Sequence, residues 1–227
     1  MAQDNRHGII FRNDNSSAAA SSRSHVARTL KERAIEIWAR RQLGRIEHER
    51  RVLAIASKLF DLTTHLHGLD APHRKVLRMA ALLHDVGRRF GEKNHPADGA
   101  RMIEDECFLP LTRRQRRAVM YLTRYHRGAV PALGYDGILR KGDGRKELRI
   151  LLALLRAADA LDSRQLDPPV LALALKGRKL SITCYIEEDC ARSRKTFRRR
   201  KKFRLLEEVL RMRVEVEVRH AENVEHV

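Results

Sequence analysis

The spacing of apolar residues changes once along this 227-residue chain, and that change constrains the fold more than any other feature. From about residue 26 to residue 163, apolar side chains recur every three or four positions, the period of a helix that buries one face. No useful length of that region alternates with period two. After Asp167-Pro168-Pro169 the pattern becomes alternating. The sequence therefore predicts a mainly α-helical body followed by a small α+β unit.

The helical period divides the body into separate helices. Gly44 is a common helix-ending residue, and residues 68–72 carry a Gly/Pro turn signal. The expected helices cover residues 26–43, 48–60, 76–87, a segment that begins near Pro96, 113–126 and 146–161. The expected organisation is a mobile tail over residues 1–24, a helical domain over 25–166 and the α+β unit over 167–227.

The C-terminal unit shows a hairpin signature. Two alternating runs, residues 171–175 and 180–186, flank a Lys-Gly-Arg turn centred on Gly177. A strongly basic helix is expected across residues 192–213, and residues 212–218 alternate as a third strand. A unit of this size would bury little core alone, so we expect it to pack on the helical body.

Composition excludes several classes of protein. The 43% hydrophobic content excludes a disordered polycation, and the longest apolar run, residues 150–161, is too short to cross a bilayer. The N-terminus lacks the apolar centre of a secretory signal. A cytoplasmic location and no membrane partner are therefore expected. The three cysteines form no C-x-x-C pair, which argues against a disulfide framework and a thiolate zinc site.

The charge of the chain indicates anionic partners. A net charge of +18 favours polyanions such as nucleic acid, polyphosphate, nucleotides or anionic lipid. Residues 192–213 contain eleven Lys and Arg and two acidic residues, so their net charge of 11 − 2 = +9 is half of the +18. Phe197 and Phe203 are six positions apart, so they do not form the stacking stripe of a single-strand binder. The candidate polyanion surface is Arg198, Arg199, Arg200, Lys201 and Lys202; the alternative is a solvated helix face.

Histidine and aspartate recur on the apolar helix faces. Burying Asp85 beside His84 is costly unless something compensates the charge, and a divalent metal would do so. Taken singly, each such residue could equally be a bonded core histidine or an aspartate paired with arginine; their joint pattern favours metal binding. Imidazoles with carboxylates suit Mn, Fe, Zn or Mg, as one ion or two. The candidate ligands are His48, His84, Asp85, His95, His126 and Asp159.

The order H…HD…H…H…D, with the motif Ala80-Ala-Leu-Leu-His-Asp-Val-Gly-Arg88, resembles the HD superfamily of metal-dependent phosphohydrolases. More closely, the chain looks like the C-terminal HD region of the exopolyphosphatase and guanosine pentaphosphate phosphohydrolase family. This resemblance covers about residues 40–219. It rests also on Ala56-Ser-Lys-Leu-Phe60, Tyr125-His126-Arg127, Leu154-Leu-Arg-Ala-Ala-Asp-Ala-Leu-Asp162 and the strand-helix-strand tail.

The resemblance implies an HD helical bundle and a metal-dependent phosphohydrolase that acts on a phosphate ester, nucleotide or polyphosphate. It implies that His48, His84, Asp85 and Asp159 hold one metal, and that Asp85 bridges to a second completed by His95 and His126. Asp85 and Arg88 are the candidate catalytic residues, with a metal-activated water as nucleophile. The candidate phosphate-binding residues are Arg88, Lys93, Arg124 and Arg127, each with solvated surface charge as its alternative.

Two departures from the family pattern limit what the resemblance implies. The actin-like ATPase-fold half that releases phosphate in full-length members has no counterpart in these 227 residues, so its polyphosphatase activity is not carried over. Residues 94–99 are closer to the H-x-x-x-G pattern of general HD phosphodiesterases than to the family's run of histidines.

Two other functions therefore stay open. The chain could be a non-catalytic polyanion-binding or regulatory HD module, whose basic helix docks RNA, polyphosphate or a partner enzyme. A partner could also supply the missing catalytic half. The expected ligand is a phosphorylated small molecule or polyphosphate, with nucleic acid and a second copy of the chain as further candidate partners.

Overall fold

The computed structural model describes residues 9–11, 23–187, 191–198 and 200–221. Residues 1–8 and 12–22, which make up most of the predicted tail, lie outside this description, as does Arg199 of the candidate polyanion surface. The side chain of Arg200 also lies outside it. Among the described residues, no helix combines the length and apolarity needed to cross a membrane.

The predicted helical body is confirmed. Its helices begin and end close to the glycine, proline and periodicity signals of the sequence, and a 3₁₀ segment, Val86–Phe90, follows the fourth helix. The helices are α1 Arg23–Leu43, α2 Glu47–Leu62, α3 Thr64–His67, α4 Ala71–Leu83, α5 His95–Asp105, α6 Arg113–Tyr125 and α7 Arg145–Ala160.

Helix α7 lies at the centre of the body. It contacts α2, α4 and α6, and ten of its sixteen residues are buried. Nine of these ten are Leu or Ala, and the exception is Asp159, a buried carboxylate one residue from the end of the helix. The core thus positions a charged group where only another group of the protein or a ligand can compensate it.

The predicted hairpin and third strand are also confirmed. Strands β2 Val170–Lys176 and β3 Lys179–Ile186 pair antiparallel around Gly177, whose φ of 57° lies in the left-handed region. Strand β4 Arg213–His220 pairs parallel to β3, because the basic segment crosses over between them. Strand β1 Ile9–Phe11, inside the segment predicted as a tail, pairs antiparallel to β2.

The sequence predicts one basic helix across residues 192–213, but the structure divides this segment into shorter pieces. The segment forms α8 Ala191–Phe197, a 3₁₀ turn at Arg200–Lys202 and α9 Arg204–Leu210. In a continuous helix, positions six apart would point about 120° away from each other, so Phe197 and Phe203 could not both face the core. The break lets both aromatic rings become buried, and α9 packs on α7.

The His84-Asp85 pair does not lie inside a helix. The helix predicted to run to Gly87 ends at Leu83, and the pair forms the turn into the 3₁₀ segment. A Cβ atom on Gly87 would overlap the backbone oxygen of His95 and the nitrogen of Gly99. This close approach of the 3₁₀ segment to α5 brings His95 beside Asp85.

Replacing Gly87→Ala should therefore destabilise the fold by about 1–3 kcal/mol or more and separate α5 from the 3₁₀ segment. Urea unfolding measures the loss. Gly99→Ala is the graded comparison, because its Cβ would meet the Thr123 methyl group at 3.0 Å. A Gly87→Ala protein as stable as the parent would contradict the close packing.

Candidate metal centre

The six candidate ligands come together at the ends of five helices. His48 lies in the first turn of α2, His84 and Asp85 follow the last residue of α4, and His95 begins α5. His126 follows the last residue of α6, and Asp159 is the penultimate residue of α7. Each of the six residues is 5% exposed or less. Helix ends distant in sequence thus form one buried cluster of imidazoles and carboxylates.

One part of the cluster surrounds the Oδ1 atom of Asp85. This oxygen is 3.2 Å from Nε2 of His95, 3.2 Å from Nε2 of His126 and 3.8 Å from Nε2 of His84. Donor atoms of His84, Asp85 and His126 all lie within 4.8 Å of one another. Asp85 Oδ1 is buried and accepts no hydrogen bond from any described residue.

The other part of the cluster adjoins it through His84. Nε2 of His48 is 3.3 Å from Nε2 of His84 and 3.4 Å from Oδ1 of Asp159. Oδ1 of Asp159 is 3.7 Å from Nε2 of His84. These three residues form a second group with the spacing of metal ligands, so the cluster has two adjacent sets of donor atoms.

Every imidazole of the cluster is oriented by a contact at Nδ1. His84, His95 and His126 each donate from Nδ1 to the backbone oxygen three residues earlier, at 2.8, 2.6 and 2.7 Å. His48 Nδ1 bonds Asp162 Oδ2 at 2.5 Å. A neutral imidazole that donates from Nδ1 presents its lone pair at Nε2.

These contacts make the donor set suitable for a cation. Four Nε2 lone pairs and two carboxylate oxygens face one another, and such an arrangement of acceptors is unfavourable without positive charge between them. Metal-ligating histidines typically donate a hydrogen bond from the ring nitrogen that does not bind the metal. The mixture of nitrogen and oxygen donors suits Mn, Fe or Zn better than Ca. The residues present therefore fit a divalent transition metal.

The pKa values of the cluster reflect the same demand for a cation. Burial disfavours the charged form of His84, but the carboxylates of Asp85 and Asp159 outweigh it and raise the pKa of His84 to about 9. Burial likewise opposes ionisation of these two aspartates, yet the surrounding histidines hold their pKa values well below the usual range. A proton on His84 therefore competes with any metal for the Nε2 atom.

The second oxygen of Asp85 has a different environment. Its Oδ2 atom accepts from Nε of Arg88 at 2.5 Å and from Nε of Arg164 at 2.9 Å. Arg164 also pairs with the fully buried Glu49. Two guanidinium groups thus hold the carboxylate so that Oδ1 faces the histidines.

Sequence reasoning did not assign three residues that support the ligands. Asp162 lies three residues after Asp159, and Glu49 adjoins His48, so both carried a local signal in the sequence. Arg164 carried none, because its partners are 79 and 115 positions away. Asp162 also bonds Arg51 at 2.6 Å, which fixes the carboxylate that orients His48.

A cavity of about 500 Å³ opens at His48 and Asp159. Of the predicted phosphate-binding residues, Arg88 and Arg127 line it, whereas Lys93 and Arg124 do not; Lys93 is exposed, and the Arg124 guanidinium lies 5.4 Å from the ring centre of Tyr125. Among the predicted polyanion residues, Lys202 lines the cavity, while Arg198 and Lys201 are exposed. The remaining basic lining residues, which the sequence did not single out, are Arg164, Arg192 and Lys195.

Residues 30–189 match the family described as Ppx/GppA phosphatase, domain III, and this range contains all six cluster residues. The chain belongs to the Ppx/GppA phosphatase family. The family's phosphatases act on polyphosphate or nucleotide substrates and generally depend on divalent metals. The matched range ends before α8, and no curated protein matches the chain.

Asp85→Asn should abolish tight binding of Mn²⁺ or Zn²⁺, because it removes the charge at the centre of the cluster. Asp162→Asn should weaken metal affinity about 10- to 100-fold, since it loosens His48 without removing a ligand. Isothermal titration and elemental analysis measure both effects. His67→Ala is the control, because His67 bonds Phe60 outside the cluster. Equal metal content in the Asp85→Asn and parent proteins would contradict the assignment.

Metal affinity should rise with pH. Below a pKa of about 9 a proton occupies His84, and the metal must displace it. The apparent Kd for Co²⁺ should therefore fall by up to about tenfold per pH unit between pH 6.5 and 8.5. Titrations in two buffers of different ionisation enthalpy count the protons released. An affinity independent of pH, with no proton release, would show that His84 is not a ligand.

Proposed function

We propose that this chain is a metal-dependent phosphohydrolase that cleaves a phosphate bond of a phosphate ester, nucleotide or polyphosphate-like substrate. The observation that carries the proposal is the Oδ1 atom of Asp85, which is buried, faces the imidazoles of His95 and His126 and has no hydrogen-bond donor among the described residues. This group adjoins a cavity with basic walls. Such a site combines a place for cations with a place for phosphate.

The two sets of donor atoms define which residues would hold metal. His84, Asp85, His95 and His126 would hold one ion, and His48, His84 and Asp159 would hold another or share the first. When bound, the metal would lower the pKa of a water molecule and neutralise charge on phosphoryl oxygens. The remaining chemistry belongs to the side chains of the cavity.

Arg88 and Arg127 are suited to position the phosphoryl group. Both pair with the exposed Glu92, which holds their guanidinium groups at the cavity. Arg88 also bonds Asp85 from Nε, so its second terminal nitrogen, which has no acceptor among the described residues, can donate to a phosphoryl oxygen. Guanidinium groups bind phosphate through paired, charge-assisted hydrogen bonds. These arginines would orient the phosphorus atom towards the cluster.

The break in the basic segment favours this proposal over a purely polyanion-binding module. That alternative relied on one continuous basic helix, whereas α8 and the following 3₁₀ turn direct Arg192, Lys195 and Lys202 into the cavity wall. Part of the basic charge therefore lies where it would meet the substrate of the cluster. The exposed Arg198 and Lys201 retain the role of a general polyanion surface as a prediction.

With Mn²⁺ or Fe²⁺ supplied, the parent protein should hydrolyse at least one member of a panel of phosphodiesters, nucleoside polyphosphates and polyphosphate. Asp85→Asn should reduce kcat by about 100-fold or more, because it removes the charge that holds the metal. Arg127→Gln should chiefly raise KM. Phosphate release measures the rates.

His67→Ala, outside the cluster, should retain the parent rate. No hydrolysis across the panel by a protein with metal bound would contradict the proposal and leave a binding role. Equal rates in the Asp85→Asn and parent proteins would contradict it as well, because activity would then not depend on the cluster.

A further inference from the structure

The wall of the cavity that α8 contributes differs from the walls of the helical body. Arg192 and Lys195 lie three positions apart on one face of α8, and both line the cavity. Ser193 and Phe197 of the same helix are buried, at 5% and 1% exposure. The buried side chains fix the rotation of α8, so the Arg192–Lys195 face is held at the cavity.

The body's arginines at this cavity all meet carboxylates. Arg88 pairs with Asp85, Arg127 pairs with Glu92, and Arg164 pairs with Asp85 and Glu49. Their charges are thus largely compensated by the protein. An anion that binds to them must compete with these carboxylates.

Arg192 and Lys195 have no carboxylate partner among the described residues. Arg192 donates from a terminal nitrogen to Oε1 of Gln165 at 2.6 Å, a neutral acceptor that orients the guanidinium group without cancelling its charge. Gln165 lies next to Arg164, and both line the same cavity. Within the part of the chain that the structure describes, the α8 wall therefore presents two positive charges without a carboxylate partner, one of them held in place by Gln165.

We propose that Arg192 and Lys195 form a second anion subsite, which binds a phosphate group of the substrate other than the one at the His/Asp cluster. The inference rests on the proposed function for the identity of the first position. Linked phosphates can occupy both positions at once, whereas a single phosphate occupies one. Helix α8, which lies beyond the matched range 30–189, thus sets a preference for linked phosphates over a monoester.

Binding to the full chain, stripped of metal with a chelator that is then removed, tests the subsite without hydrolysis. Isothermal titration measures the binding of two probes, tripolyphosphate and orthophosphate. The double variant Arg192→Gln, Lys195→Gln should raise the Kd for tripolyphosphate about tenfold or more, because it removes two charge-assisted contacts. Its affinity for orthophosphate should fall much less.

The matched control is Arg194→Gln, Arg204→Gln, which removes the same charge from two exposed residues of the basic segment that do not line the cavity. It should bind tripolyphosphate within about twofold of the parent, since solvent-exposed charges that do not contact the anion are largely screened. Equal losses in both double variants would overturn the subsite in favour of bulk charge. Thermal unfolding establishes that each variant is folded.

Steady-state kinetics tests the subsite and the proposed function independently of each other. If the protein hydrolyses phosphate bonds, Arg192→Gln, Lys195→Gln should raise KM for an oligophosphate and leave that for p-nitrophenyl phosphate nearly unchanged. Metal-dependent hydrolysis with tripolyphosphate binding unaffected by this variant would overturn the subsite alone. Binding that depends on α8 without any hydrolysis would support the subsite and contradict the proposed function.

Discussion

The carboxylate of Asp85 is the group on which the rest of the site depends. It is fully buried and ionised, and an uncompensated buried charge would cost several kcal/mol. Arg88 and Arg164 compensate its Oδ2 atom, which leaves Oδ1 directed at the imidazoles. One carboxylate thus contacts two arginines through Oδ2 and faces the histidines through Oδ1. The arginines compensate the charge at Oδ2, whereas Oδ1 accepts no hydrogen bond from the described residues.

A single local device orients three of the four histidines. His84, His95 and His126 each donate from Nδ1 to the carbonyl group three residues before them. His84 and His126 do so at helix C-termini, where the carbonyl groups are free and the helix dipole favours positive charge. The backbone thereby fixes both the tautomer and the direction of Nε2. Only His48 needs a side-chain partner, Asp162, for the same purpose.

Periodicity predicted most of the fold, because apolar spacing records which face of each element is buried. It correctly gave the body helices and the β2–β3 hairpin. It extended the helix past His84, since Val86 and Gly87 continue the apolar spacing although the backbone tightens into a 3₁₀ segment. It also joined the basic segment into one helix, because charge spacing does not reveal that Phe197 and Phe203 are both buried.

Proximity in the sequence to a candidate ligand predicted poorly which residues line the cavity. Arg124 is two positions from His126 yet is exposed, whereas Arg164, between α7 and β2, and Arg192 of α8 line the cavity. Contacts across such separations depend on how the α+β unit packs against the body. No periodic pattern records that packing. The sequence therefore indicated which buried His and Asp residues cluster together, but it indicated only part of the lining of the cavity.

The most direct test of this account is anomalous X-ray diffraction from crystals grown with Mn²⁺. The account predicts a strong peak within coordination distance, about 2.0–2.3 Å, of Oδ1 of Asp85 and of Nε2 atoms of His84, His95 and His126. It also predicts that Arg88 remains on Oδ2 of Asp85. A map with no peak in the cluster, in a protein whose histidines keep these positions, would contradict the claim that the cluster is built for a metal.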